Sequence, residues 1–182
     1  PKAMRVKCYT RIYLEKVDVN AGGGYEQKAT AFRKLAWRNK SDAVVFVVDS
    51  DGDLKGKTAQ LTKGRDDAPS KLPMAVGVAH PCIESWLLAD APAIRRGLEL
   101  TTTPEVPQRP EDLPAPRQDK NGKENPKAVL ARIVGARKKE LSAKQKDKIA
   151  FAMNDMDLVR KRCPASFAPF ADEVKVHIRP LF

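Results

Sequence analysis

A chain of 182 residues is long enough for one domain with a real core and a small appendage. Its 34 lysines and arginines against 23 acids give a formal net charge of +11, which points to a polyanionic partner, either nucleic acid or an anionic surface. No transmembrane span or secretory segment is recognisable, and three distant cysteines with two histidines argue against a disulfide framework or a zinc site; the expectation is a soluble, cytoplasmic protein with no membrane partner.

Met4 to Leu14 alternates loosely through Val6, Tyr9, Ile12 and Tyr13 and reads as a strand or hairpin. Gly22-Gly23-Gly24 then breaks the pattern. It reads as a flexible turn, because it lacks both the Lys-Ser/Thr of a P-loop and the GxGxxG order. Tyr25 to Asn39 places Ala29, Phe32, Leu35 and Ala36 at helical spacing. Val44 to Val48 is an unbroken apolar run rich in β-branched residues, the pattern of a strand buried on both faces in a parallel sheet. It ends in Asp49-Ser50-Asp51-Gly52-Asp53. Thr58 to Leu61 reads as a helical turn and Arg65 to Pro69 as loop. Pro73 to Ala79 reads as a second buried strand. His80-Pro81-Cys82-Ile83-Glu84-Ser85-Trp86-Leu87-Leu88 follows at once, a helix with Pro81 at its first position and Ile83, Trp86, Leu87 and Ile94 on its apolar face. Trp37 and Trp86 read as core anchors.

Prolines recur from Thr101 to Pro126, which reads as an extended connector or surface loop outside the core. Lys127 to Lys139 is helical in pattern, and Ser142-Ala143-Lys144-Gln145 matches a capping box opening another helix. Asp157 is placed to cap a short helix ending near Cys163-Pro164, and Phe167, Phe170, Val174 and Val176 to anchor the tail. The expected organisation is an α/β core over 1–100, a Pro-rich connector over 101–126 and a helical part over 127–182 packed on the core.

Asp49, Asp51 and Asp53 emerge at the carboxyl end of the first strand, the edge where open α/β sheets place their ligands. If the strands are parallel neighbours, Glu84 emerges on the same edge. Carboxylates this close repel one another, and a hard divalent cation such as Mg²⁺ or Mn²⁺ neutralises them with oxygen ligands. The alternative is a solvated acidic turn, with Glu84 complementing a helix dipole. In a basic protein, carboxylate-bound ions suit phosphodiester hydrolysis. Cys82 and His80 are neighbours, but no third group completes a nucleophilic arrangement.

Lys55 and Lys57 follow the aspartates and are candidates for contacting a phosphate. Lys127, Arg137, Lys138 and Lys139 belong to a denser basic region that reads either as a nucleic-acid-gripping surface or as a solvated helix face.

The string Val47-Val48-Asp49-Ser50-Asp51-Gly52-Asp53 resembles the DxD motif of the Toprim fold, shared by topoisomerases, primases and overcoming-lysogenization-defect nucleases. Ala79-His80-Pro81-Cys82-Ile83-Glu84-Ser85-Trp86-Leu87-Leu88-Ala89-Asp90 resembles a segment of small Toprim-like proteins of bacterial anti-phage systems. Asn125-Pro126-Lys127-Ala128-Val129-Leu130 and Arg162-Cys163-Pro164-Ala165-Ser166-Phe167 resemble later segments of the same proteins. The resemblance implies a Toprim-like, Rossmann-like parallel sheet flanked by helices, with a C-terminal helical part. It also implies a metal-dependent nuclease with Asp49, Asp51 and Glu84 as catalytic residues, Asp53 as an auxiliary ligand, and Mg²⁺ or Mn²⁺ as cofactor. DNA is favoured over RNA as substrate. The setting implied is anti-phage defence beside an ATPase partner subunit, and a homo-oligomer is compatible with it.

Toprim proteins begin with a strand ending in Glu-Gly. Glu15 and Glu26 are the only glutamates before Asp49 and neither has that context, so the expectation is that the first strand and helix lie upstream of Pro1. The competing expectation is a non-catalytic Toprim-like subunit that binds nucleic acid or docks on a partner ATPase. A phosphoacceptor receiver domain fits the aspartates loosely but not the positive charge or the Glu84 helix.

Overall fold

The computed structural model describes residues 24–68, 71–136 and 140–181. The expected strand or hairpin over 4–14, the first two glycines of the run, and Arg137, Lys138 and Lys139 lie outside the described residues. The architecture is α/β, with a short parallel two-stranded sheet flanked by helices. Among the described residues, no helix is long and apolar enough to cross a membrane.

Helix α1 (Tyr25–Arg38) leads into strand β1 (Val44–Asp49), helix α2 (Leu54–Asp66) and strand β2 (Met74–Ala79). A helical crossover of this length is what lets β1 and β2 run parallel as neighbours. Strand β2 is buried at every position. Strand β1 is not buried on both faces as its apolar run predicts: it is half-buried, and Val45 is 52% exposed. Its only strand partner among the described residues is β2. Trp37 likewise is no core anchor, at 61% exposed, whereas Trp86 is.

The chain falls into two compact units. One holds the described residues up to Phe46, with Lys55–Val76 and Asp172 onward; the other holds Val47–Leu54 and Gly77–Ala171. Within the first, α1 and α2 cross closely. A Cβ on Gly64 would lie 2.2 Å from the Glu26 carbonyl oxygen, and Thr30 Oγ1 donates to the Gly64 carbonyl at 3.0 Å. The expected turn at Thr58–Leu61 is therefore part of a full helix. Its buried face is Lys57, Leu61 and Gly64, which carries no apolar stripe to read in sequence.

The second unit is mostly helical. Helix α3 (Ile83–Leu88) starts after a cis His80-Pro81 bond, so Pro81 is not its first residue. The helix does not run on to Ile94. Asp90 stops it and caps α4 (Ala91–Leu98), accepting the Ala93 N–H at 2.9 Å. Helices α5 (Pro126–Ile133) and α6 (Ala143–Ala152) follow, and α6 opens with the expected Ser142–Gln145 capping box. Helix α7 (Met156–Arg162) is capped by Asp155, not Asp157. Helix α8 spans Phe167–His177.

Leu87, Leu88, Ile94, Leu130 and Ile149 form one core of this unit. Trp86, Val159, Cys163 and Phe167 form a second, with Trp86 edge-on to Phe167 at 5.2 Å and stacked on Phe170 at 5.1 Å. Val176 does not anchor the tail; it is 64% exposed. The connector is irregular apart from a 3₁₀ turn at Pro110–Asp112, but it is not all surface. Pro110, Glu111 and Ala115 are buried, because Glu111 accepts the N–H groups of Ala165 and Ser166, each at 2.8 Å, and the Ser166 hydroxyl.

Candidate functional site

Pairing of the two strands continues past their ends. The Ser50 N–H donates to the Ala79 carbonyl at 2.8 Å and the Asp51 N–H to the Pro81 carbonyl at 3.0 Å. Ser50 is fully buried between them. Its Oγ lies 2.8 Å from His80 Nδ1 and 3.2 Å from the Pro81 carbonyl oxygen, and accepts the Gly52 N–H at 3.3 Å. Asp51 (φ 50°) and Gly52 (φ 98°) turn the chain through left-handed backbone, which aspartate and glycine adopt at the least steric cost. The two acid-bearing segments are thus fixed to each other by backbone and by a serine that the motif pattern does not single out.

Asp49 reaches from the end of β1 to the start of α3. Its Oδ1 accepts the Ile83 N–H at 2.8 Å, while Cys82 at the N-cap position supplies no side-chain cap. Burial pushes the Asp49 carboxyl above its usual range; the Ile83 N–H opposes this, the Glu84 charge adds to it, Lys127 opposes it and Asp51 adds to it.

Glu84 is 1% exposed, one residue into α3. Lys146 Nζ, from α6, stands 2.5 Å from its Oε1. The two form a close ion pair, and Lys146 and Cys82 both reach the Glu84 carboxylate by side-chain hydrogen bonding. Burial pushes the Glu84 carboxyl up, but Lys146 and Cys82 outweigh it and hold it below the usual range. For Lys127 on α5, burial lowers the ammonium, and the charges of Glu84 and Asp49 overcome that and raise it. Burial, and then the Glu84 charge, push the Cys82 thiol far up, so it is a poor nucleophile.

Asp49, half-buried, and Glu84, buried, are therefore near enough to act on each other's charge, with Asp51 in electrostatic reach of Asp49. Asp53 is exposed at the entrance to α2. Lys127 joins the acids. Lys55 and Lys57 belong to the other compact unit; there Lys55 is exposed, and Lys57 is buried with its Nζ 4.8 Å over the Tyr25 ring. Among the described residues, no three acidic, histidine or cysteine side chains gather tightly enough to enclose a metal ion. Asp49 and Glu84 offer oxygen only, the donor type a hard cation takes, and the ammonium groups of Lys146 and Lys127 stand beside them. Nothing in the sequence links Lys146 to Glu84 or singles out Ser50. The capping box marks only where α6, which carries Lys146, begins.

No curated protein and no solved structure matches the chain. One family profile covers residues 5–175, so the chain belongs to the family described as Domain of unknown function (DUF4276).

Proposed function

We propose that the chain is a Toprim-like, divalent-metal-dependent nuclease subunit that cleaves nucleic-acid phosphodiesters, DNA in preference to RNA, as the effector of an anti-phage system gated by a partner ATPase. The observation that carries this reading is the 2.8 Å hydrogen bond from the Ile83 N–H to Asp49, which sets the end of β1 against the start of the helix bearing Glu84. Asp49, Glu84 and Asp51 would hold Mg²⁺ or Mn²⁺, which would supply Lewis-acid polarisation of a phosphodiester oxygen. The Ser50–His80 contact and the paired strand ends keep these carboxylates in register. Lys127 sits beside them as a fixed positive charge, and the net charge of +11 attracts the backbone of the substrate.

A second reading is a Toprim-like subunit that binds nucleic acid or a partner ATPase without cleaving. Lys146 favours it, because an ammonium already neutralises Glu84. The two part on one experiment: Mn²⁺-dependent cleavage of supercoiled plasmid and of single-stranded RNA by wild type, Asp49→Asn and Glu84→Gln, with and without a candidate partner ATPase. The nuclease reading expects DNA cleavage that both variants lose. Binding of DNA with no cleavage under any condition, unaltered in both variants, assigns the chain to the binding class.

A further inference from the structure

We propose that the loop from Arg117 to Lys123 is a preformed grip for the phosphate backbone of a nucleic acid, with Arg117, Lys120 and Lys123 as its contacts. The inference rests on the nucleic-acid part of the reading above and not on a bound metal. It names a surface within a connector whose sequence reads only as extended loop.

The loop is a built feature. Its two ends are buried, at Ala115 on one side and at Asn125 and Pro126 on the other. The chain leaves Ala115 through a tight turn, with the Gln118 and Asp119 N–H groups on the Ala115 carbonyl at 2.8 and 3.1 Å. The Asp119 carboxylate then accepts four bonds from the N–H groups of Gly122, Glu124 and Asn125. Gly122 (φ 63°) supplies the left-handed backbone that this wrapping requires. The loop is therefore held before a ligand arrives, and binding does not have to pay for ordering it.

Its charge and its place select the partner. Arg117, Lys120 and Lys123 are exposed, and none pairs with a carboxylate among the described residues, whereas Arg109, Lys146 and Lys148 of the same compact unit sit on Asp112, Glu84 and Glu99. Residues 117–132 carry five cations against two acids, and one of those acids, Asp119, is occupied by N–H donors. Residues 117–124 include no apolar side chain that could form the dry centre of a protein interface. Cations and amides are the groups that hold phosphates, and Gln118 adds an exposed amide. The loop also touches the acid-bearing turn. An added Cβ on Gly52 would lie 2.9 Å from Gln118 Nε2 and 3.9 Å from Ala115 Cβ, so a backbone held by the loop lies beside the turn that carries Asp51. Just beyond the loop, Lys127 responds to the charges of Glu84 and Asp49, which leaves the outer three cations for the ligand.

The test is binding of a labelled DNA duplex and of a single-stranded RNA, by fluorescence anisotropy over a range of salt, without divalent metal. The proteins are wild type, the triple variant Arg117→Gln/Lys120→Gln/Lys123→Gln, Asp119→Ala, and a control triple variant Lys34→Gln/Lys71→Gln/Lys175→Gln. The control removes the same charge from exposed lysines of the other compact unit. The loop triple variant is expected to bind at least about tenfold more weakly and to flatten the slope of log K against log salt by about two to three. The control is expected to keep the slope of wild type. Asp119→Ala adds positive charge, which by itself tightens binding; release of the loop is expected to weaken it instead. Equal losses in the two triple variants mean that net charge alone acts, and overturn the inference. Tighter binding by Asp119→Ala overturns the preformed grip. Absence of nucleic-acid binding by wild type overturns it as well, and capture of a candidate partner ATPase that the loop triple variant loses then assigns the surface to that partner. Cleavage is scored separately. Binding through the loop with no Mn²⁺-dependent cleavage leaves this inference standing and removes the nuclease reading, and cleavage with an unchanged salt slope in the loop triple variant does the reverse.

Discussion

The Asp49 carboxylate accepts the Ile83 N–H at 2.8 Å, so the last residue of β1 caps the helix that carries Glu84. One oxygen thereby ties together the two elements that bring the acids to one edge. Simple repulsion between acids suggests that removing Asp49 should not destabilise the fold. The cap changes that. Asp49→Ala is expected to cost about 1 kcal/mol, the usual price of a lost N-terminal cap. Asp49→Asn keeps an acceptor oxygen, loses the charge and should melt near wild type while abolishing Mn²⁺-dependent cleavage. Because burial raises the Asp49 carboxyl, its charged form opposes folding: its contribution is fullest below the unfolded value and is lost as pH rises through the folded one. Urea denaturation across the acid range, with the cleavage assay alongside, checks both variants. Equal stability of the Ala and Asn proteins removes the cap from the account.

Glu84 has the opposite sign. Its carboxyl is held below the usual range by Lys146 and Cys82 against the push of burial. Its stabilising contribution is present above the unfolded value and is lost as pH falls through the lowered one. Lys127, Asp49 and Cys82 also face it and move with it. Lys146→Met removes the nearest counter-charge of a buried carboxylate, leaving Lys127 beside it, and is expected to cost up to about 3–5 kcal/mol. Adding Glu84→Gln should return much of that loss, since the two substitutions touch one contact and will not add. A double-mutant cycle from urea midpoints measures it. Additive losses mean that the pair does not couple in solution.

Much of this arrangement can be read from the chain. The apolar runs before Asp49 and His80 mark two strands, and their polar endings mark the edge where the acids gather. What cannot be read depends on contacts made in three dimensions. Helix α2 hides because a lysine and a glycine flank its one buried leucine. Trp37 and Trp86 look alike in sequence, yet Trp37 is exposed among the described residues, while Trp86 donates its Nε1 to Ser166 Oγ at 2.7 Å within an aromatic cluster. Lys144, Lys146 and Lys148 alternate along α6, and only the fold decides which of them reaches Glu84. The split between α3 and α4 was legible in principle, since Asp90-Ala91-Pro92 is a cap followed by an early proline.

Gly64→Ala tests the close crossing of α1 and α2. In an exposed helix the change stabilises by about 1 kcal/mol. Here the new Cβ would lie 2.2 Å from the Glu26 carbonyl oxygen and 2.9 Å from its Cα, both backbone atoms that cannot turn aside. The helices have to separate, stretching the Thr30–Gly64 bond of 3.0 Å and the Lys63–Glu26 pair of 2.5 Å. A net loss of about 1–3 kcal/mol is expected by urea denaturation. A gain in stability means that the crossing is looser in solution.

Asp119 concerns the loop that places Lys127. Its carboxylate accepts the N–H groups of Gly122 at 2.9 Å, Glu124 at 2.7 Å and Asn125 at 2.8 Å, and the Asn125 side-chain amide at 2.8 Å. Asn125 in turn caps α5, accepting the Ala128 N–H at 3.1 Å, and Lys127 lies in the first turn of that helix. Desolvation pushes the Asp119 carboxyl up, but the bonds from Asn125, Glu124 and Gly122 outweigh it and bring it down to about 2 from 3.8. A depressed carboxylate stabilises the fold above its unfolded value and ceases to do so as pH falls through the folded one. The melting temperature of wild type should therefore drop between pH 3.8 and about 2, and that part of the drop should be missing in Asp119→Ala. At neutral pH the variant should lose hydrogen-exchange protection at Gly122, Glu124 and Asn125, and at the Ala128 N–H if the cap loosens with the loop. Protection lost in the loop but kept at Ala128 confines Asp119 to the turn. Protection kept at all four positions, with an unchanged acid limb, means that these bonds do not persist in solution and that α5 is positioned without them.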